Sequence, residues 1–443
     1  MSDDKNSVSH LLKVLTFWDL VVYGLVYVAP IGPWSTWGYA DSLSGGVVAL
    51  VYLLGAVALL FTAISYGQMA LEVPETGSVY SYARASLGIG AGFIAGWLVL
   101  LDYLLIPALM YVFCGVTLSL FVPAIPRWAW ILLVAGYNIV VNWFGVKTSA
   151  RFNYATLILQ FALVFALLGW AAFVLHTSGS ALFTLDPWWR HTTKISGVFA
   201  GASLCVMAYL GFDAITTLSG EVRPDQRRLI GRAVVFSLAL LGALAVLNVW
   251  ILSDLGRGFR ATDLASVTFE LVSARINPAF GHFITWGSAF VVAVSITPPM
   301  VSAVARVLYA MAQNGEMPRF LARLHPKHAV PHVAILTSGA LSIIVSLYFA
   351  NQFDTLTSMV NFGALTAFML VNLSVIALYL FKRRSQRWVV HFLVPVVGIV
   401  TILGVLSQMS TLALTVGVVW LAVGIATYWI RRMRVTHTLR NPL

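Results

Sequence analysis

The sequence predicts an all-α polytopic membrane protein with twelve transmembrane helices. Of its 443 residues, 60% are hydrophobic and only 10% are charged, whereas a soluble protein carries about 25% charged residues. The mean hydropathy is +0.88. Apolar runs of roughly 20 residues recur along the chain, and a helix of that length spans the hydrocarbon core of a bilayer.

The expected spans follow these apolar runs, and the connections between them are too short for a soluble domain. The outer connection at about 257–279 contains Leu264–Arg275, which is expected to form a short surface helix. Cys114 and Cys205 lie inside apolar runs, so we expect small packing residues and no disulfide. The twelve spans are placed at residues 15–41, 46–70, 90–120, 127–146, 153–177, 195–219, 232–256, 280–310, 331–350, 355–381, 388–408 and 411–430.

The basic residues predict the orientation in the membrane. With the N-terminus inside, 21 of the 27 Lys and Arg residues fall on the inner side and 6 on the outer side. This bias places both termini in the cytoplasm, as an N-terminal segment 1–14 and a tail 431–443. The net charge of +11 then reflects topology, and no nucleic-acid partner is expected. No cleavage site of small residues follows the first apolar run, so no signal peptide is expected.

Span one contains an expected break. Pro30, Gly32 and Pro33 fall in its middle. A proline removes a backbone donor and clashes with the preceding turn, so two prolines around a glycine should interrupt the helix. Inside a bilayer, interrupted backbone survives only where protein covers it or where it lines a watery cavity. A simple proline kink is the alternative.

Span six contains the second expected break, within Met207–Thr216. Gly211 lies two residues before Asp213, in the middle of the apolar run. An ionised carboxylate at membrane depth costs several kcal/mol unless it is paired, so Asp213 is a candidate functional residue. The alternative is a glycine that packs helices and an aspartate bonded to a neighbouring helix.

The two breaks are separated by one unit of five spans, and an odd number of spans inverts the topology. Interrupted helices at matching places in inverted halves indicate a midplane substrate site in a secondary transporter. A channel would need a continuous polar pore lining. A membrane-embedded enzyme would need clustered His, Asp or Ser on adjoining helices. Neither pattern is present, and we expect no catalytic residue, no metal site and no cofactor.

The buried charges indicate the kind of substrate. Of the 16 acidic residues, only Asp102 and Asp213 fall in the middle of a span, and no Lys or Arg lies at comparable depth. Two embedded carboxylates without an internal cation favour an external one, either a diamine or a monoamine with a proton. The alternative is that one carboxyl is protonated and structural.

Aromatic residues accompany these carboxylates. An ammonium group over an aromatic face gains ~0.5–2 kcal/mol, although each ring alone is equally well explained by helix packing. The substrate-binding residues expected from the sequence are Asp213, Asp102, Phe212, Trp34, Gly32, Tyr103, Trp37, Tyr209 and Ser35.

Seven segments carry a resemblance to a known family. Over nearly all of residues 12–432 the chain resembles the amino acid–polyamine–organocation superfamily, and within it the bacterial putrescine importers. The segments are Leu60–Gly67, Gly77–Ala83, Leu101–Leu104, Gly211–Ser219, Ala305–Met311, Leu324–Lys327 and Val360–Phe368.

The resemblance implies a leucine-transporter-like fold. Five plus five helices form an inverted repeat, here 15–177 and 195–381, with helices one and six unwound, and two further helices follow at 388–430. Members carry amino acids or polyamines by symport or exchange. A multi-pass protein of the bacterial inner (plasma) membrane is expected. Asp213 falls where polyamine and arginine–agmatine exchangers place an acidic residue that meets the substrate.

Three departures from the family pattern matter. The putrescine importers carry an Asp in helix one, in a Phe-Asp-Thr-Phe-Gly pattern, and Ser35 takes that position within Trp34–Gly38. Their Ser-Glu-Glu after helix six is Ser219-Gly-Glu221 here. Amino-acid carriers offer a Gly-Ser/Ala-Gly run whose amides hold the substrate carboxylate, whereas Ala29–Pro33 has fewer amides to give. The Ser35 departure weakens the putrescine assignment, and the last one counts against an α-amino acid.

Coupling is expected to use protons. The helix-five lysine of some proton-coupled relatives is absent, since 153–177 contains no Lys or Arg. A proton carrier would then be Asp102, Asp213 or Glu221, whereas a sodium site would use Ser295 and Thr297. The expected function is proton-coupled import of a small organic amine, putrescine or a related polyamine. The alternative is an amino-acid or monoamine permease or exchanger of the same superfamily.

Overall fold

The computed structural model describes residues 15–73, 78–144, 150–261, 263–313, 315–326, 328 and 330–440. Within these ranges all regular structure is helical, as predicted. The α-helices are α1 Phe17–Val28, α2 Pro33–Ser44, α3 Val48–Glu72, α4 Ser78–Leu87, α5 Ile89–Phe121, α6 Arg127–Trp143, α7 Ala150–Thr177, α8 Ile195–Cys205, α9 Arg228–Leu255, α10 Val267–Arg275, α11 Pro278–Val291, α12 Thr297–Gln313, α13 His332–Tyr348, α14 Phe353–Val375, α15 Val394–Leu406 and α16 Thr411–Arg440.

Each of the twelve predicted spans coincides with helical structure to within a few residues. By length and apolar composition, nine segments of the described ranges are able to cross a membrane, or ten if the bent pair α1–α2 is one span. The helices α6 and α13 have 17 residues each. Such a helix is about 26 Å long, slightly less than the ~30 Å hydrocarbon core. The count of twelve membrane crossings therefore stays a prediction.

The first span is interrupted where its prolines predicted an interruption. A capping box starts α1, in which Thr16 Oγ1 accepts from the Asp19 N–H and Asp19 Oδ2 accepts from the Thr16 N–H. α1 ends before Ala29, whose φ of +66° is uncommon for a residue with a side chain. Pro33 occupies the first position of α2, where its missing N–H costs nothing. The two helices meet at 55°.

The sixth span is interrupted at Gly211. α8 gives way to a 3₁₀ helix over Val206–Tyr209, and a second 3₁₀ helix covers Phe212–Glu221. Between them Gly211 has a φ of +108°, a conformation that only glycine adopts without strain. The regular helix is therefore interrupted two residues before Asp213.

The core joins the two predicted repeats. α3 packs along α9, and these helices are spans two and seven, which hold the same place in the two units. Their backbones approach so closely that a methyl group on Gly231 would lie 2.8 Å from the Gly67 Cα atom. α5 passes through the centre of the molecule and packs against α6, α12, α13 and α14. The buried carboxylate Asp102 is carried by this central helix.

The predicted surface helix at Leu264–Arg275 forms as α10, but one face of it is buried. Phe269 packs edge-on against Trp34, and Thr268 Oγ1 donates to the Trp34 carbonyl at 2.9 Å. Val267, Leu271 and Val272 are also buried. The helix therefore covers the start of α2, and its apolar residues explain why it does not lie free on the surface.

At the end of the molecule predicted to face the cytoplasm, α4 is tied to the loop after α12. Arg84 Nη1 pairs with Glu316 Oε1 at 2.9 Å, and the Tyr80 hydroxyl donates to the same oxygen at 2.8 Å. Burial and the bond to Glu316 raise the pKa of Tyr80 to about 12. The hydroxyl therefore keeps its proton and remains a donor at neutral pH.

Candidate functional site

The two helix interruptions lie against each other in the middle of the fold. A methyl group on Gly32 would lie 3.4 Å from the Ala208 Cα atom, so the two backbones are nearly in contact. On Gly211 it would lie 2.2 Å from Tyr27 Cδ1, which leaves no room for a side chain. The interrupted segments of spans one and six therefore face each other, as the inverted-repeat argument requires.

Residues of both interrupted segments line a small cavity of about 40 Å³. This volume holds little more than a few water molecules and is far below the ~300 Å³ of a typical ligand pocket. The predicted residues Gly32 and Ser35 line it, and Ser35 Oγ donates to the Gly32 carbonyl at 3.0 Å. The lining residues, which are mostly apolar, are Tyr27, Val28, Ala29, Ile31, Gly32, Ser35, Ile106, Met110, Phe113, Met207, Ala208, Leu210, Val292, Ile296 and Met300.

The two predicted carboxylates lie beside this cavity and are buried. Asp213 is 2% exposed and Asp102 is 3% exposed. Asp213 Oδ2 accepts a hydrogen bond of 3.0 Å from the Tyr103 hydroxyl, whereas Asp102 Oδ1 has no partner among the described residues. No Lys or Arg of the described ranges forms an ion pair with either carboxylate. The two carboxyl groups are close enough to interact electrostatically.

The register of α5 relates the carboxylates to the cavity. Tyr103 precedes the cavity residues Ile106 and Met110 by three and seven positions, which places all three on one face of the helix. Asp102 precedes Ile106 by four positions. The carboxylate cluster therefore adjoins the cavity, about one helical turn nearer to the end of α5 that begins at Ile89.

The predicted tryptophans pack around the cavity and do not line it. Trp34 is fully buried, and its Nε1 donates to Asn248 Oδ1 at 3.2 Å. Trp37 Nε1 donates to Ser253 Oγ at 3.1 Å. Both bonds connect α2 to α9, so these two side chains hold the half-helix after the break in its position.

The predicted residues Tyr209 and Phe212 are also packed within protein. The Tyr209 hydroxyl donates to the Tyr52 carbonyl at 2.8 Å and its ring meets the Tyr52 ring edge-on. Phe212 packs against Tyr66 and Phe368, with ring centroids at 5.7 and 5.3 Å. Phe212 nevertheless stays next to the carboxylates, because Asp213 follows it in the chain.

The predicted coupling residues form two sets, one for a proton and one for sodium. The side chain of Glu221 lies outside the described part of the chain, so its predicted role stays a prediction. Ser295 lies in a π-helical turn, Val292–Ile296, whose two end residues line the cavity. Its Oγ has no partner among the described residues, whereas Thr297 Oγ1 donates to the Val292 carbonyl at 2.7 Å.

Several residues around the site were not among those predicted from the sequence. Tyr52 and Asn248 bond to predicted site residues, and Tyr66 packs on Phe212. They belong to spans two and seven, which carry no break and no acidic residue at mid-span. Only Asn248 could have been found from the sequence, because it is a polar amide within an otherwise apolar run.

Interrupted helices that meet at the centre of a helical bundle are typical of many secondary transporters. The chain belongs to the amino acid permease family, whose sequence model matches residues 19–432. It is 30% identical to the low-affinity putrescine importer PlaP of Escherichia coli K12, over 98% of this chain and 96% of PlaP.

Other relatives carry different names. The chain is 27% identical to the branched-chain amino acid permease BcaP of Bacillus subtilis, over 95% of this chain and 93% of BcaP. It is 25% identical to a methylthioribose transporter of the same species, over 97% and 95% of the two chains. Among solved structures, a Na⁺-coupled sialic acid symporter in its outward-open state matches with a TM-score of 0.56 and 12% identity, over 89% and 90% of the chains. This likeness bears on the fold alone.

Proposed function

We propose that this protein imports a small organic amine, putrescine or a related polyamine, by alternating access and with proton coupling. The observation that carries the proposal is the pair of buried carboxylates, Asp102 and Asp213, which have no cationic partner among the described residues and adjoin the helix interruptions. A buried charge needs an opposite charge or a proton. A substrate ammonium group supplies the first, and a coupling proton supplies the second.

The proposed membrane arrangement follows the sequence analysis. The protein lies in the bacterial inner membrane with both termini in the cytoplasm. Residues 15–177 and 195–381 form the two inverted repeats, and 388–430 adds two helices. The substrate enters between the interrupted segments of spans one and six, and the repeats rearrange around it.

Each proposed site residue has a distinct role. Asp213 accepts the substrate ammonium, and Tyr103 orients the carboxylate through its hydrogen bond. Asp102 takes a second amine or the coupling proton. Gly32 and Ser35 form the cavity wall. Trp34, Trp37, Tyr209 and Phe212 are packed around the site and set its shape.

The second candidate function is transport of an apolar amino acid. The mostly apolar cavity lining and the relative named as a branched-chain amino acid permease favour it. The backbone of span one counts against it. Pro30 and Pro33 have no N–H, and the amides of Ala29 and Gly32 already donate to Leu25 and Ala29. Few amides are therefore left to hold a substrate carboxylate.

Transport by the purified protein in proteoliposomes tests the proposal. Labelled putrescine should accumulate when the outside is made acidic, and a proton ionophore should abolish the accumulation. Liposomes without protein are the control. Accumulation of leucine or isoleucine, with no putrescine uptake under any gradient, would favour the amino-acid permease instead.

A further inference from the structure

Four aromatic rings pack together beside Asp213, because one of them belongs to Phe212, the residue that precedes it. Tyr66 of α3 contacts Tyr82 of α4 at 6.0 Å between ring centroids, and it contacts Phe212 and Phe368 at 5.7 Å each. All four residues are buried. We call Tyr66, Tyr82, Phe212 and Phe368 the aromatic cluster.

The two hydroxyls of this cluster are unpartnered. Neither the Tyr66 nor the Tyr82 hydroxyl makes a hydrogen bond with a described residue. Ser78 approaches Tyr66 and Thr216 approaches Tyr82, but neither contact has hydrogen-bond geometry. A buried hydroxyl without a partner costs about 1–3 kcal/mol. Two such hydroxyls in one place call for a reason beyond packing, since phenylalanine would fill the same space.

The hydroxyls lie within the electrostatic reach of the carboxylates. Tyr66 interacts with both Asp213 and Asp102, and Tyr82 interacts with Asp213. Asp102 Oδ1 is itself unpartnered. Two hydroxyl oxygens and one carboxylate oxygen, all able to accept hydrogen bonds, therefore lie in the same buried part of the protein as the Phe212 ring.

A primary ammonium group matches this set of oxygens. It has three N–H donors and no acceptor. Its charge is attracted by a carboxylate and by an aromatic face. A carboxylate ligand would be repelled by Asp102 and Asp213, and an apolar group would leave the hydroxyls unbonded.

We propose that Tyr66 and Tyr82, together with Asp102, form a subsite for the second ammonium group of a diamine. This inference rests on the proposed function and assigns Asp102 to the substrate. Asp213 and Tyr103 hold the first ammonium. Phe212 precedes Asp213 in the chain and its ring contacts Tyr66, so this ring provides the apolar surface for the methylene chain. Tyr66 and Tyr82 are then specificity residues that distinguish diamines from monoamines.

Binding of two amines of equal chain length tests the subsite. 1,4-Diaminobutane and n-butylamine are titrated against the purified full-length protein, the variants Tyr66→Phe and Tyr82→Phe, and the double variant. Each substitution keeps the ring and removes one oxygen atom. A hydrogen bond to a charged group contributes about 1.5–3 kcal/mol, which corresponds to a loss of affinity of roughly 10- to 100-fold. The diamine should lose that affinity, and n-butylamine should bind each variant as it binds the parent.

Tyr111→Phe is the matched control. Tyr111 is also fully buried with an unpartnered hydroxyl, but its titratable neighbour is Cys114 and not a carboxylate. Its removal should change the binding of neither amine. Melting temperatures show whether the variants fold. If the double variant does not fold, the two single variants carry the test.

Three outcomes would overturn the inference. One is parental affinity for the diamine in both single variants, and another is an equal loss for the diamine and n-butylamine. The third is an equal loss in the Tyr111→Phe control. In each of these cases the parent still binds amines, so the proposed function stands. A parent that binds neither amine but binds an apolar amino acid refutes the proposed function, and the subsite falls with it.

Discussion

Asp213→Asn is the most informative single change, because it keeps the size of the side chain and removes only its charge. Asp213 is 2% exposed, is bonded to Tyr103 and has no cationic partner among the described residues. If it binds the substrate ammonium, the variant loses a charge-assisted hydrogen bond in a dry site. Such a bond contributes a few kcal/mol, so amine affinity should fall roughly 10²-fold or more.

The free protein should respond in the opposite sense. An uncompensated buried carboxylate is costly, and a neutral amide in the same place costs less. We therefore expect Asp213→Asn without substrate to melt at the same temperature as the parent or higher. A loss of function that came from misfolding would lower it. The two explanations are thus separated by one measurement.

A thermal-shift titration measures both effects. At an amine concentration of 100 times the parental Kd, binding should stabilise the parent by about 2.7 kcal/mol and a variant with 100-fold weaker affinity by about 0.4 kcal/mol. Asp186→Asn is the control, because that carboxylate is 58% exposed and its removal changes the net charge equally. A parental substrate shift in Asp213→Asn, with parental uptake, would show that the carboxylate is structural.

Three further predictions address the break, the second carboxylate and coupling. Gly211→Ala should lower the melting temperature and abolish uptake, because its methyl group would lie 2.2 Å from Tyr27 Cδ1 at a φ of +108°. Gly136→Ala is the control, because a methyl group there would have no atom within 4 Å. Equal behaviour of the two variants would contradict the prediction. Asp102→Asn should weaken binding of diamines much more than of monoamines; if instead counterflow exchange survives and uphill uptake fails, Asp102 carries the proton. Uptake should rise with an inward proton gradient and need no sodium, and sodium-dependent uptake without a pH effect would point to Ser295 and Thr297.

The interruptions in spans one and six have causes that are local in the sequence. Pro30 and Pro33 lack the donors that a helix needs, and Gly211 permits the positive φ observed there. The depth of Asp102 and Asp213 followed from their positions within apolar runs.

The direction of side chains around the breaks did not follow from the sequence. After an interruption of unknown geometry, the direction of each side chain no longer follows from its spacing along the helix. The directions of the Trp34 and Phe212 side chains could therefore not be derived from the sequence. Both were expected to face the substrate, and both pack within protein. Their binding roles stay predictions.

Contacts between distant spans were equally hidden. Tyr66 and Asn248 reach the site only because α3 and α9 pack beside it. Packing between distant helices cannot be derived from a single sequence. α10 was foreseen as a helix, but its burial against Trp34 depends on where α2 ends up.

The methionines in the cavity wall bear on how selective the protein is. Met110, Met207 and Met300 come from three different helices and meet around a space of only about 40 Å³. Their unbranched, flexible side chains rearrange around guests of different shape at little cost. A ligand group larger than a few water molecules must displace these methionine side chains. Because the side chains are flexible, they accommodate ligand groups of different length. Discrimination should therefore be lenient for any apolar part of a ligand that enters this cavity, and strict at the charged ends that the carboxylates hold.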